Sequence, residues 1–416
     1  MHYFFFKNNH LYCENVRIID IVKKIKTPFY LYSHRTIYEH FNKIDEAFKD
    51  IPHIICYSLK ANSNLSILKM LQKMGSGADI VSGGELYKAL KAGIPAKKIV
   101  FAGVGKTDEE IEYAIKSDIL MFNIESISEA EKINSIARKF KRKVDAALRI
   151  NPDVDVDTHH YDITGKKENK FGLNIELGKK LFIRLNKLKN LNICGIHVHI
   201  GSQITKVTPY IMALKKVVKL IDDLDKIGIK IKRLNIGGGL GIIYKDETPS
   251  TAKEFADNIL PLIKPLDVTL ILEPGRFIVG NAGILVTKVL YIKKGGVKNF
   301  VIVDAGMSDL IRPSLYGAYH NIIPIIKTKG VIKVDVVGPI CESGDFLGKD
   351  RELPKVKEGD FLAVMGAGAY GFTMASNYNA RRRPAEIIVK DDKFWIARKR
   401  ETYKDLIKGE KIIKGL

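Results

Sequence analysis

From Ile54 to Leu272 the chain alternates short apolar runs with amphipathic helical stretches, and eight such alternations admit few folds. Strands are predicted at Ile54–Ser58, Ala78–Val81, Ile99–Ala102, Ile119–Asn123, Val144–Ile150, Ile193–Ile200, Arg233–Ile236 and Val268–Leu272. Apolar spacing of three and four predicts helices between most of them, at Asn64–Met74, Gly84–Ala92, Asp108–Lys116, Ser128–Lys139, Pro209–Ile227 and Ala252–Ile263. Ser82, Thr107 and Ser126 stand where N-caps belong, with a hydroxyl to accept an orphan N–H. Strands joined through helices are parallel, because a parallel pair needs a crossover and a hairpin cannot supply one. The expected class is therefore α/β: a (β/α)8 TIM-type barrel over residues 33–279.

After Gly280 the helical period fades. Residues 284–292, 299–304, 331–337, 361–365, 385–390 and 393–397 read as strands separated by turns. This predicts a second, mostly β domain made of residues 280–416 together with residues 1–32. Tyr3–Tyr12, turning at Lys7-Asn8-Asn9, reads as a hairpin, and Pro28–Tyr32 as a strand ahead of the barrel. A length of 416 residues suits a barrel plus an appendage. Asn151–Gly172 is long and polar, the signature of an active-site loop. Its acidic run Asp153–Asp157, with His159 and His160, reads as a mobile loop in preference to a metal site.

Apolar residues make up 46% of the chain, but no run approaches the roughly 20 residues of a membrane span. The aromatic N-terminus is too short for a signal peptide, so a cytoplasmic protein is expected. Cys13, Cys56, Cys194 and Cys341 form no CxxC pair, which argues against a structural zinc or dithiol site. The net charge of +21 is spread along the chain without a dense basic block, so no nucleic-acid partner is expected. A mild positive field suits an anionic cofactor or a dicarboxylate substrate.

The unusual residues fall where barrel strands end. Lys60 follows the first strand, Asp79 lies near the end of the second, and Arg149 closes the fifth. His197 and His199 close the sixth and, two apart, are expected on one side of it. Gly237, Gly238 and Gly239 follow the seventh; Glu273, Gly275 and Arg276 follow the eighth. In such barrels the C-terminal strand ends carry the active site. Each residue has a bland reading: a solvated lysine, a core histidine, a packing glycine, an ordinary turn. Together they suit pyridoxal 5'-phosphate. Its aldehyde needs an amine such as Lys60. Its phosphate needs backbone N–H donors, which a glycine loop offers. Its ring nitrogen needs an acid such as Glu273, and its ring face a planar neighbour such as His199. Arg276 suits a substrate carboxylate.

The motifs "YSLKAN", "GADIVSGGEL", "HVHIGSQ", "NIGGGLGI", "LEPGR", "DAGMSDLIRPSLY", "GPICESGDFLGKDREL" and "GAYGFTMASNYNARRRPAE" occur in order along the chain. In this the sequence resembles the fold type III pyridoxal phosphate decarboxylases with an alanine racemase-like barrel, and among them the diaminopimelate decarboxylase family. The resemblance implies decarboxylation of meso-2,6-diaminopimelate at its D-centre to L-lysine and CO2. Related decarboxylases of this fold act on ornithine, arginine or carboxynorspermidine, but "CESGD" and "RPSLY" are unlike the ornithine-type pattern. It also implies that Lys60 holds the cofactor aldehyde, His199 stacks on its ring, and Glu273 meets the ring nitrogen. Asp79, Ser202, Gly238, Gly239, Gly275, Arg276 and Tyr370 complete the implied cofactor site. Arg276, Arg312, Tyr316, Glu342 and Tyr370 are the implied substrate contacts, and Cys341 the implied proton donor. In the family Cys341 reaches the site of a partner subunit, so a homodimer with shared sites is implied. No metal is implied. "NARRRPAE" departs from the family pattern and leaves Arg382 without a role.

Overall fold

The computed structural model describes residues 2–154 and 171–415. The segment expected to hold His159 and His160 therefore lies outside the described residues. The chain divides into two units, one of residues 38–242 with 247–278, the other of residues 1–37, 243–246 and 279–416.

In the second of these units the chain begins with β1 (Phe4–Lys7), β2 (His10–Cys13) and β3 (Val16–Arg17). The expected hairpin forms, its turn residues Asn8 and Asn9 both at positive φ, but it pairs with β3 in a three-stranded sheet of its own. Phe4, Leu11 and Cys13 drive its packing, since they are buried in the core of this unit. The strand expected ahead of the barrel is β4 (Phe29–Ser33). It runs antiparallel to a strand from the other end of the chain and parallel to a second one, and so holds a central place in their sheet.

The barrel is formed by β5 (His53–Ser58), β6 (Gly77–Ile80), β7 (Ile99–Phe101), β8 (Met121–Ile124), β9 (Val144–Asn151), β11 (Leu191–His197), β12 (Arg233–Asn235) and β13 (Thr269–Leu272). All adjacent pairs are parallel, and pairing of β8 with β9 and of β13 with β5 closes the ring. A two-residue strand, β10 (Leu173–Asn174), adds to the outside of β9. Cys56, Val100, Met121, Ala147 and Ile271 fill the interior. The predicted caps hold: Ser82, Thr107 and Ser126 each accept the N–H three residues on, and Thr107 completes a capping box with Glu110. The helix Gly178–Leu185 was not expected; it opens without a side-chain cap. One expectation needs correcting. The sixth strand ends at His197, so His199 lies in the segment beyond the strand and not on a shared face with His197.

Beyond the barrel run β14 (Gly283–Lys294), β15 (Asn299–Val303), β16 (Ile322–Pro324), β17 (Val331–Val337), β18 (Phe346–Pro354), β19 (Phe361–Val364), β20 (Ala385–Lys390) and β21 (Lys393–Arg398). They form one nine-stranded sheet with β4, in the order β18-β17-β15-β14-β4-β20-β21, with β19 bridging β14 and β16. The expected strands are all present. β16 and β18 are additional, and the charged run Lys349–Glu352 in β18 hides the latter from an apolar pattern. Among the described residues no helix is long and apolar enough to cross a membrane.

Candidate active site

The barrel sequence delivers its polar residues to one rim because each parallel strand ends in the same direction. Lys60 follows β5, and its Nζ donates to Asp79 Oδ2 on the neighbouring β6 at 2.8 Å. Ser58 Oγ donates to the same oxygen. Asp79 is fully buried, and its Oδ1 has no partner among the described residues. Burial, and after it the charge of Glu273, pushes its carboxyl up from the ordinary range, against the pull of Lys60.

Glu273, just past β13, is the best-anchored group at this rim. Its Oε1 accepts from Asn235 Nδ2 at 2.6 Å and from Asn123 Nδ2 at 3.0 Å. His197 Nε2 stands 3.4 Å from Oε2. Burial alone would favour the protonated acid, but His197, Lys60 and the Asn235 amide outweigh it and hold the carboxyl well below the usual range. Two neighbouring buried carboxylates are thus driven apart, Glu273 toward the charged form and Asp79 toward the neutral one. Sequence reading missed Asn123 and Asn235. Asn123 does interrupt the otherwise apolar strand MFNI, whereas Asn235 shares the strand RLN with Arg233 and gives no such signal.

The glycine loop follows β12. A Cβ on Gly237 would lie 2.5 Å from His199 Nδ1, and on Gly238 it would strike the backbone carbonyl of Glu273. A Cβ on Gly239 would strike Gly201 O, and one on Gly275 would sit 2.9 Å from Ser58 Cβ. Gly237 and Gly239 also adopt positive φ, so all four positions call for glycine. Gly238 N–H donates to His199 Nδ1 at 3.3 Å, which places the ring proton on Nε2. Burial, then the charges of Arg149 and Lys60, holds His199 far below its ordinary value, so the ring is neutral. Arg276 donates to Ser202 Oγ from Nε at 3.3 Å and from Nη2 at 2.9 Å, which joins two predicted site residues. Arg149 pairs with buried Glu125 at 2.5 Å, and Glu125 also accepts the Gly172 N–H at 2.9 Å. Lys60, Asp79, His199, Ser202, Gly238, Gly239, Glu273, Gly275 and Arg276 are therefore brought together at the strand ends.

The remaining predicted residues lie in the β unit. Arg312 is buried, donates to His320 Nε2 at 3.3 Å, and lies over the rings of Tyr244 and Tyr316. Cys341 and Glu342 are exposed on the loop after β17. Asp345 fastens that loop: its carboxylate accepts Met307 N–H and Ile340 N–H, each at 2.6 Å. Ser314 Oγ donates to Gly344 O, linking this loop to the short helix that carries Arg312 and Tyr316. Cys341 N–H donates to Asn379 Oδ1 at 2.7 Å. Tyr370 holds a left-handed backbone at φ 55°, a costly conformation for a bulky residue and one that clusters at functional sites.

The barrel rim fits pyridoxal phosphate on its own evidence. Buried polar atoms without partners among the described residues, Asp79 Oδ1, Asn123 Oδ1 and His197 Nδ1, surround the Lys60–Glu273 region. Such atoms are stable where a polar ligand completes them. The glycine loop, packed so tightly on His199, Glu273 and Gly201 that no Cβ is tolerated, offers only backbone, the kind of surface a phosphate binds. The comparisons agree. Residues 34–280 match the family described as "Pyridoxal-dependent decarboxylase, pyridoxal binding domain". The chain belongs to this family of pyridoxal-dependent decarboxylases and, over nearly its full length, to the diaminopimelate decarboxylases within it. It is 50% identical to the diaminopimelate decarboxylase of Aquifex aeolicus over 96% of both chains. The Helicobacter pylori enzyme in complex with L-lysine aligns at TM-score 0.91, with 45% identity, covering 94% of this chain and 98% of that one. The M. jannaschii enzyme in co-complex with L-lysine aligns at TM-score 0.94, with 42% identity, covering 99% and 98%.

Proposed function

We propose that this protein removes the carboxyl group at the D-centre of meso-2,6-diaminopimelate, giving L-lysine and CO2, the last step of lysine biosynthesis. The observation that carries this reading is the near-full-length similarity to diaminopimelate decarboxylases, two of them solved with L-lysine. When bound, pyridoxal phosphate supplies an aldehyde carbon for an amine and an electron sink for the breaking C–C bond. Lys60 Nζ is the amine that would hold the aldehyde carbon, and Asp79 orients it through their 2.8 Å contact. Glu273, held as a carboxylate, would meet the ring nitrogen, and the neutral His199 ring would stack on the cofactor. Gly238, Gly239, Gly275, Ser202, Arg276 and Tyr370 would hold the phosphate end.

Residues 33–279 form the cofactor domain, and residues 1–32 with 280–416 the domain of substrate and subunit contacts. Arg276, Arg312, Tyr316 and Glu342, with Tyr370, grip the far L-configured end of the substrate. A ligand lacking the far carboxylate would leave the Arg276 and Arg312 guanidinium groups without that anionic partner, a discrimination of roughly 1–3 kcal/mol per group. Cys341 Sγ delivers the proton that replaces the departing carboxyl group. The protein works as a homodimer whose subunits share their sites, and in the cytoplasm, where its four free thiols are at home. Incubation of the purified protein with pyridoxal phosphate and meso-diaminopimelate yields CO2 and L-lysine in equal amounts, and Lys60→Ala yields neither. Turnover by Lys60→Ala refutes the assignment.

A further inference from the structure

Asn235 ends β12 fully buried, where an aliphatic side chain would fill the space without desolvating an amide. Both ends of that amide are used. Nδ2 donates to Glu273 Oε1 at 2.6 Å, and Oδ1 accepts the Gly237 N–H at 2.9 Å. Gly237 is the first residue of the glycine loop, and its own carbonyl accepts the Glu273 N–H at 2.8 Å. One side chain therefore spans from the acid at one end of the site to the loop at the other. Asn123, also fully buried, makes only the first kind of contact: its Nδ2 donates to Glu273 Oε1 at 3.0 Å, while its Oδ1 has no partner among the described residues. Two amide donors occupy Oε1, so Oε2, with His197 Nε2 3.4 Å away, is the oxygen left for a ring nitrogen.

We infer that Asn235 is a positioning residue with two arms, one fixing Glu273 for the cofactor ring and one fixing the glycine loop for the cofactor phosphate, whereas Asn123 serves the ring alone. The inference rests on the reading that this rim holds pyridoxal phosphate with Glu273 at the ring nitrogen. Its consequence is a separation that general destabilisation does not produce. Loss of Asn123 weakens a cofactor with and without its phosphate equally. Loss of Asn235 weakens the phosphorylated form more.

The test is equilibrium titration of apoprotein with pyridoxal phosphate and with pyridoxal, followed by visible absorbance and tryptophan fluorescence. Asn123→Ala is expected to raise both dissociation constants by the same factor, on the order of tenfold for one hydrogen bond to a charged group. Asn235→Ala is expected to raise the constant for pyridoxal by about that factor and the constant for pyridoxal phosphate by at least about fivefold more. Asn235→Asp keeps the volume and the acceptor for Gly237 but replaces the donor to Glu273. It is expected to weaken both ligands while leaving their ratio at the wild-type value. Equal losses for both ligands in Asn235→Ala overturn the inference. If that variant does not fold, Asn235→Asp decides, and a ratio changed threefold or more from wild type overturns the inference. Wild-type apoprotein that binds neither ligand overturns the cofactor reading together with it.

Discussion

Gly237→Ala separates two effects that a glycine loop combines, backbone conformation and close approach. At Gly237 φ is +67°, a region in which an L-residue costs about 1–2 kcal/mol. The added Cβ would lie 2.5 Å from His199 Nδ1 and 2.8 Å from Val198 O. A methyl carbon needs about 3.3 Å from a nitrogen, so the His199 ring must move by about 0.8 Å, the difference from 2.5 Å. Overpacking of this kind costs a further 1–3 kcal/mol, for a total of about 3 kcal/mol. In a unit of this size that lowers Tm by roughly 6–12 °C. A misplacement near 1 Å at a reacting centre costs about a hundredfold, so cofactor affinity and turnover are expected to fall by about 10- to 100-fold. Gly228→Ala is the control, because Gly228 has φ +80° and nothing within 4 Å of its Cβ position. It shares the backbone cost and lacks the clash, so it is expected to lose about 1–2 kcal/mol of stability with unchanged cofactor binding. Differential scanning calorimetry and cofactor titration on both variants read the two effects separately. Cofactor affinity in Gly237→Ala within threefold of wild type would refute the geometric reading of the loop.

Two further outcomes are expected. Cys341→Ala lowers kcat by roughly 10²- to 10⁴-fold, the usual range for a proton donor, with cofactor absorbance unchanged; steady-state rates and spectra check this, and wild-type turnover returns Cys341 to a bystander. Burial pushes the Asp309 carboxyl up to about 7, with partial relief from the Gly306 N–H. A folded pKa above the ordinary value means that the stabilisation is fully present below about pH 4 and is lost as pH rises through 7. Asp309→Asn is therefore expected to match wild type in Tm below about pH 4 and to exceed it increasingly as pH rises to about 7 and beyond. A constant gap across that range contradicts the assignment.

Much of the barrel is legible in the sequence, because its period and its punctuation agree. The helices Asp108–Lys116 and Ala252–Ile263 have the predicted bounds, each opened by a threonine N-cap with a glutamate three residues on. Reading fails at some elements that lack one of those signals. Gly178–Leu185 has no capping side chain, and β18 is interrupted by charge. His199 was placed within a strand because Val198 and Ile200 continue the apolar run, and both are buried although the strand ends at His197. Lys60, Glu273 and the glycines stand out as exceptions at strand ends. Asn235 and Asp345 do not, and Asn123 shows only as a polar break in an apolar strand, because their role lies in which atoms they meet across the fold, and spacing carries no record of a contact between Asn123 and Glu273.

The central claim is that the site acts on the D-centre of one substrate and holds its far end. Its most direct test is CO2 release from meso-, L,L- and D,D-diaminopimelate, ornithine and arginine by the purified, cofactor-loaded protein. The account predicts rapid release from the meso isomer with L-lysine as product, and rates lower by at least about tenfold for each of the others, as expected when the far end is mismatched. Release from ornithine or arginine that equals or exceeds release from meso-diaminopimelate would contradict it.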